Sequence, residues 1–200
     1  MATRPGFYIL NNQVTYKNAN FEWAGGFAVS QKKKNVARLH EALGGACLEV
    51  STKSDVVIGK KLSAFNLKLD GYPLENVFQS SKVFENGGPY RDLLNVSPKE
   101  AKRDERLKCS GKLKGFKYDG YFWPLKPKTG FYDYIYCKAA RNIEANELKQ
   151  ICNYEYFTDI EFNPAKSINT QARSVAIVKL MLQLWGDVIV DCSPEQFMEF

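Results

Sequence analysis

The chain is poor in the residues on which many enzyme classes depend. It has a single histidine, His40, in 200 residues. That excludes mechanisms needing two or three imidazoles on a metal and makes a Ser-His-Asp or Cys-His nucleophile a poor candidate. The five cysteines (Cys47, Cys109, Cys137, Cys152 and Cys192) are odd in number, scattered and without a C-x-x-C pair. Neither a disulfide framework nor a thiolate zinc site is expected, and idle thiols fit a reducing compartment. No window approaches the roughly eighteen uninterrupted apolar residues of a membrane span, and "MATRPGFYIL" lacks the features of a signal peptide. A soluble, cytoplasmic protein with no membrane partner is expected. There is no Walker or dinucleotide glycine fingerprint, so phosphate binding cannot rest on those devices. Internal repeats, low-complexity tracts and linkers are also lacking.

What is present is a well-stocked core. Hydrophobic residues make up 44% of the chain and aromatic residues 14%, enough for one compact domain over residues 1–200. The formal net charge of +6 is unevenly spread. From Lys99 to Lys117, "KEAKRDERLKCSGKLKGFK" holds eight basic and three acidic residues. Such a run can track a phosphodiester backbone or meet a pyrophosphate; a solvated helix face of mixed charge is the plain alternative.

Local patterns predict the elements. Residues 7–23 read as one or two short strands before a turn at Gly25 and Gly26. Ser30 is expected to cap a helix running to Leu43, with Gly44 beyond its end and His40 in a structural or surface place. "CLEVSTKS" reads as a buried strand, and Asp70-Gly71 as a hairpin-like turn. "SPKE" at 97–100 is a capping box with proline at the first helical position. "TGFYDYIYCKAARN" and "ARSVAIVKLMLQLW" read as helices, the second largely buried, and Ser193-Pro194 as the start of a last turn or two. "YEYFTDIEFNPAKSINTQ" reads as a long polar and aromatic loop.

One segment stands out. In "PLENVFQSSKVF", residues 73–84, spacings of four and three stack Glu75, Gln79 and Lys82 along one helical stripe beside an apolar arc of Leu74, Val77, Phe78, Ser81 and Phe84. On spacing alone, a boundary ion pair worth under about 1 kcal/mol is the plainer reading. A reaction site is the other, because partial burial shifts a pKa while an opening still admits substrate.

The companions of that segment carry more. "LSAFN" at 62–66, "LENVFQSSKVF" at 74–84 and "TDIEFNPAKSINTQARS" at 158–174 occur in the order that resembles the NADAR family of N-glycosidases and ADP-ribose glycohydrolases. The resemblance is closer to the branch that accompanies DarT-type toxins as antitoxin, through "GFAVSQKKKNVARLHEAL", "KVFENGGPYRDLL", "FWPLKPKTGFYDYIY" and "FTDIEFNPAKSINTQ". It spans nearly the whole chain. Pro73 departs from it, since many relatives place Ser or Val directly before the glutamate.

This resemblance implies an α+β, mostly helical single domain with a small β element. It also implies removal of ADP-ribose from guanine in single-stranded DNA, undoing a DarT-type toxin, with ADP-ribose as product and no metal or other cofactor. RNA is the alternative polymer. Cleavage places positive charge on the anomeric carbon and negative charge on the departing base, which calls for a carboxylate and a proton donor. Glu75 is then the carboxylate that stabilises the sugar cation or activates the nucleophile. The resemblance makes Lys82 an amine that forms a Schiff base with the opened ribose, or else a cation that orients the ring or donates to the base. Asp159 is the third catalytic candidate, with Glu161 as its substitute. Asn66, Gln79, Asn163, Asn169 and Gln171 offer donors and acceptors for ribose hydroxyls and an adenine edge. Phe65, Tyr90 and Trp123 offer stacking faces, and Lys53 and Arg91 are pyrophosphate partners. Two rival functions stay open: hydrolysis of a small phosphorylated ribosylamine, and a binding module that recognises ADP-ribose or nucleic acid without turnover.

Overall fold

The computed structural model describes residues 1–165 and 167–199. In chain order the elements are β1 (Ala2–Leu10), β2 (Gln13–Phe21), α1 (Val29–Leu43), β3 (Cys47–Glu49), α2 (Val57–Lys61), β4 (Lys68–Leu69), β5 (Tyr72–Pro73), α3 (Leu74–Ser80) and β6 (Lys82–Phe84). There follow α4 (Pro98–Arg103), α5 (Arg106–Cys109), β7 (Leu113–Tyr118), β8 (Tyr121–Pro124), α6 (Gly130–Ala140), α7 (Ala145–Leu148), β9 (Tyr156–Thr158), α8 (Gln171–Trp185) and α9 (Pro194–Met198). The class is α+β. Helix accounts for 41% and strand for 21% of residues, so the expectation of a mostly helical chain gives way to a mixed one. The elements group into two compact units, one of Met1–Ser63 with Ile143–Val188, the other of Ala64–Asn142 with the segment from Ile189 on.

The first unit is organised by a four-stranded sheet in the order β2-β1-β9-β3. Strands β1 and β2 pair antiparallel along their whole length, from Ala2 opposite Phe21 to Leu10 opposite Gln13. Their reversal is at Asn11 and Asn12, with φ of 51° and 56°. Asparagine tolerates this left-handed region, and two such residues in a row make the tight turn that matches strand twist. The expected short strands before Gly25 are therefore one long hairpin that begins near the amino terminus. Helix α1 starts with Ala28 at its N-cap and no side-chain cap, not with Ser30. Its end is as expected, Gly44 donating its N–H to the His40 carbonyl at 3.0 Å. Val36, Leu39 and Leu43 of α1 pack with Ala19, Phe21, Tyr156 and Ile160. Buried Asn35 clamps the preceding loop, accepting from the Ala24 N–H at 2.7 Å and donating to the Ala24 carbonyl at 3.0 Å.

The segment expected to be loop contains β9. It runs parallel to β3, with Leu48 opposite Phe157 and Glu49 opposite Thr158. Thr170 caps α8, accepting the Ala172 N–H at 3.3 Å, and most of that helix is buried as its composition suggests.

In the second unit β6, β7 and β8 form an antiparallel sheet, and Asp119-Gly120, both at positive φ, turn β7 into β8. Asp70-Gly71 turn β4 into β5 in the same way. The capping boxes at Ser97 with Glu100 and at Ser193 with Gln196 are both formed. The core of this unit is aromatic: Phe131 stacks on Phe116 with centroids 4.5 Å apart, and Trp123 lies 4.4 Å from Tyr134. Helix α6 carries most of it and is buried at nearly every position.

Candidate active site

Helix α3 is seven residues long and almost wholly sunk in its unit. Asn76 holds it in place, its Nδ2 donating to the carbonyls of Leu93 at 2.8 Å and Val96 at 2.7 Å. The predicted stripe is altered at one end. The helix stops at Ser80 and Lys82 opens β6 opposite Phe116. The Ser81 carbonyl accepts the Lys117 N–H at 2.8 Å, so the sheet takes the backbone group that another helical turn would have used. Glu75 and Gln79 thus come from the helix and Lys82 from the strand that follows it.

Burial sets this segment apart from a solvated ion pair. Glu75 is 8% exposed and Gln79 5%, too deep for a solvated boundary pair. Gln79 Nε2 donates to Glu75 Oε1 at 2.9 Å, while Gln79 Oε1 is buried with no partner among the described residues. Such an orphaned acceptor costs about 1–3 kcal/mol unless something donates to it. The cation paired with Glu75 is Lys102 of α4, 3.8 Å away and largely exposed, rather than Lys82. The Lys82 ammonium lies over the Phe78 ring, 5.0 Å from its centroid. Burial pulls the Lys82 amine below its usual range; Glu75 opposes this and Lys102 adds to it. Desolvation outweighs the nearby carboxylate, so the shift is downward.

The rest of the basic run is partly spent. Arg106 is engaged by Asp92 and Asp104, and Lys114 by Glu85. Lys99, Arg103, Lys108 and Lys112 are exposed.

In the first unit Asp159 follows β9 directly and is 9% exposed. Its Oδ1 accepts the Glu161 N–H at 3.1 Å and its Oδ2 is 3.5 Å from Thr170 Oγ1. Burial pushes its carboxyl up to about 6 against a hydrogen bond from Gln171. Glu161, the substitute candidate, is exposed and pairs with Lys32 at 3.3 Å. Sequence reasoning missed Glu49, which is 2% exposed and held by Ser51, Thr158 and Ile160. The one available signal was an acidic residue inside a strand already read as buried.

The remaining predicted residues are scattered. Phe65 and Asn66 are exposed. Trp123 is 1% exposed inside the aromatic core, so it has no open face for a base, and its indole N–H is unpartnered. Tyr90 carries the Arg106 guanidinium over its ring at 4.5 Å and bonds Ser110 through its hydroxyl. Arg91 donates to the Lys117 carbonyl at 2.6 Å and lines a cavity of about 280 Å³ with Asp70 and Asp119, acidic company for a pyrophosphate ligand. Lys53 donates to its neighbour Thr52 at 3.0 Å. Asn163 Oδ1 accepts the Ala165 N–H at 3.0 Å in a local turn, whereas Asn169 Oδ1 is buried with no partner among the described residues. Phe162, Pro164, Ile168 and Arg173 line a second cavity, of about 500 Å³, against Phe7 and Tyr16. Among the described residues no helix is long and apolar enough to cross a membrane, and no group of three or more His, Cys, Asp or Glu is placed to hold a metal ion.

The chain is therefore an α+β protein with a buried carboxylate–amide pair beside a desolvated lysine. It belongs to the family described as DarT1-associated NADAR antitoxins, which it matches over residues 2–200. No curated protein matches it.

Proposed function

We propose that the protein is an ADP-ribosyl glycohydrolase that cleaves the N-glycosidic bond of ADP-ribosylated guanine in single-stranded DNA, and so serves as antitoxin by repair of what a DarT1-type toxin modifies. The carrying observation is Glu75, buried, held by Gln79 and set near a lysine whose pKa burial pulls below its usual range, in a chain of a DarT1-associated antitoxin family.

In this reading the bond between the anomeric carbon and the guanine exocyclic nitrogen breaks, and its electron pair leaves with the base, whose nitrogen takes a proton from solvent to become the amino group again. Glu75 meets the positive charge on the sugar, where a fixed carboxylate in a dry site is worth most. Gln79, with an acceptor to spare, takes a ribose hydroxyl. Lys82 as the free amine adds to the anomeric carbon; the ribose ring opens to an iminium, and water then releases ADP-ribose and regenerates the amine. Asp159 of the first unit is kept as a proposed acid on the family resemblance, and a carboxyl raised to about 6 exchanges protons readily near neutral pH. The exposed cations of the 99–112 run suit a polynucleotide backbone, which favours the polymer over a small ribosylamine.

The test is incubation with an oligonucleotide bearing ADP-ribosylguanine, in EDTA and without added cofactor, using the wild type and Glu75→Gln and Lys82→Met variants. Release of ADP-ribose and unmodified guanine by the wild type, with a species trapped by borohydride that Lys82→Met does not form, supports this reading. Tight retention of ligand without released sugar points instead to a binding module.

A further inference from the structure

Glu49 is the most deeply buried of the acidic groups described above, yet the proposed chemistry does not use it. It closes β3, and the parallel register sets it beside Thr158 of β9. Its Oε1 accepts from Ser51 Oγ at 2.5 Å and from the Ile160 N–H at 2.9 Å. Its Oε2 lies 2.7 Å from Thr158 Oγ1. All three partners are neutral, and two of them are the residues on either side of Asp159. A carboxylate without a cation is very costly to bury, so the group keeps its proton instead.

We propose that Glu49 is the positioning residue of Asp159: as a neutral acid it grips Thr158 and Ile160, fixes the Asp159 carboxyl between them, and leaves the pair with one negative charge at neutral pH. This rests on the reading of Asp159 as a functional acid. The three donors favour the ionised form and burial outweighs them; Oε1 accepts two hydrogen bonds and Oε2 one, from Thr158, so a proton on Oε2 reverses only the Thr158 contact. The Thr158 hydroxyl can then donate onward to His40 Nε2, 2.8 Å away. Burial holds that imidazole neutral, its pKa pulled down to about 4, so it is able to accept. The sequence Glu49, Thr158, His40 is thus a line of neutral groups leading from the buried acid to a half-buried ring on α1.

Arg4 of β1 acts on Asp159 through space and Glu161 opposes it, itself engaged by Lys32; Thr170 and Gln171 at the start of α8 are neutral. Burial first, and then the Asp159 charge, push Glu49 up to about 8. Asp159 therefore ionises while Glu49 is still neutral, and only above about 8 do two carboxylates face each other.

The experiment is carboxyl-carbon NMR titration of the full chain, paired with kcat against pH on the ADP-ribosylguanine oligonucleotide. The Glu49 carboxyl is expected to titrate near 8 and to move down in Asp159→Asn, whereas Asp159 in Glu49→Gln still titrates near 6, because glutamine is an isostere of the neutral acid. Glu49→Leu removes the grip and lowers kcat by about 10²-fold, the effect of a small misplacement. Glu49→Gln, an isostere of the neutral acid, restores most of it. A Glu49 carboxyl titrating near the ordinary 4.5, or one insensitive to Asp159→Asn, overturns the proposal even if Glu49→Leu fails to fold. A wild type that titrates as expected but releases no ADP-ribose keeps the acid pair and overturns the glycohydrolase reading alone.

Discussion

Gln79 spends its Nε2 on Glu75 Oε1 at 2.9 Å and keeps its Oε1 buried with no partner among the described residues. A side chain half satisfied in this way fixes a neighbour and reserves a contact for a ligand. Its orphaned acceptor weakens the free protein by about 1–3 kcal/mol. Gln79→Leu relieves that cost but strips buried Glu75 Oε1 of a donor, so the free protein should change little in stability, while the rise in melting temperature caused by ADP-ribose shrinks sharply. Thermal unfolding with and without ADP-ribose measures both effects. Loss of stability with an undiminished ADP-ribose shift would assign Gln79 to packing alone.

The Lys82 amine is pulled below its ordinary pKa by burial, against the opposing charge of Glu75. With the folded value below the unfolded one, the unfolded chain binds more protons between the two. Stability at this group thus rises with pH across that interval, and the fraction of free amine rises through its lower edge. Turnover should climb with pH in the range where Lys82 loses its proton. Lys82→Arg, which keeps a permanent charge, should be as inactive as Lys82→Met.

Lys102 is paired with Glu75 Oε1 at 3.8 Å and helps to lower the Lys82 pKa. Lys102→Gln should shift the alkaline rise in rate toward higher pH without abolishing activity, since the pair is exposed on the lysine side and burial dominates. A pH–rate profile of the variant checks the direction; a shift toward lower pH contradicts it.

His40 and Glu49 give opposite slopes to stability. His40 is about 4 in the fold against an ordinary 6.5. The unfolded chain binds the extra proton in that window, so stability rises with pH from about 4 to 6.5. Glu49 is raised to about 8 from 4.5, so its contribution is complete below 4.5 and is lost as pH rises through about 8. Denaturant unfolding at several pH values should show Glu49→Gln gaining on the wild type from pH 5 to pH 8, with no such gain expected from changing exposed Glu195.

How much of this was legible follows physical lines. The capping box at Ser97, the helix start at Ser193-Pro194 and the Asp70-Gly71 turn are local chemistry, and all form as read. Asn11-Asn12 carried a turn signal of the same kind that was passed over. The spacing of Glu75 and Gln79 placed both on one helix face, but a helix pattern does not reveal that Lys82 is drawn into a sheet by Phe116 and Lys117 further along the chain. Glu49 was hidden for a related reason: its partners Thr158 and Ile160 lie across a parallel crossover, and nothing near position 49 announces them. Trp123 shows the converse, an aromatic side chain that suits a base in chemistry and a core in place.

The central claim is that Glu75 drives cleavage of an N-glycosidic bond. Its most direct test is mass-spectrometric detection of ADP-ribose released from an ADP-ribosylguanine oligonucleotide by wild type and by Glu75→Gln. The expected result is multiple turnovers by the wild type, leaving unmodified guanine, and a rate lower by about 10²–10⁴-fold in Glu75→Gln. Intact substrate after long incubation with excess wild-type protein, or equal rates for the two proteins, would contradict it.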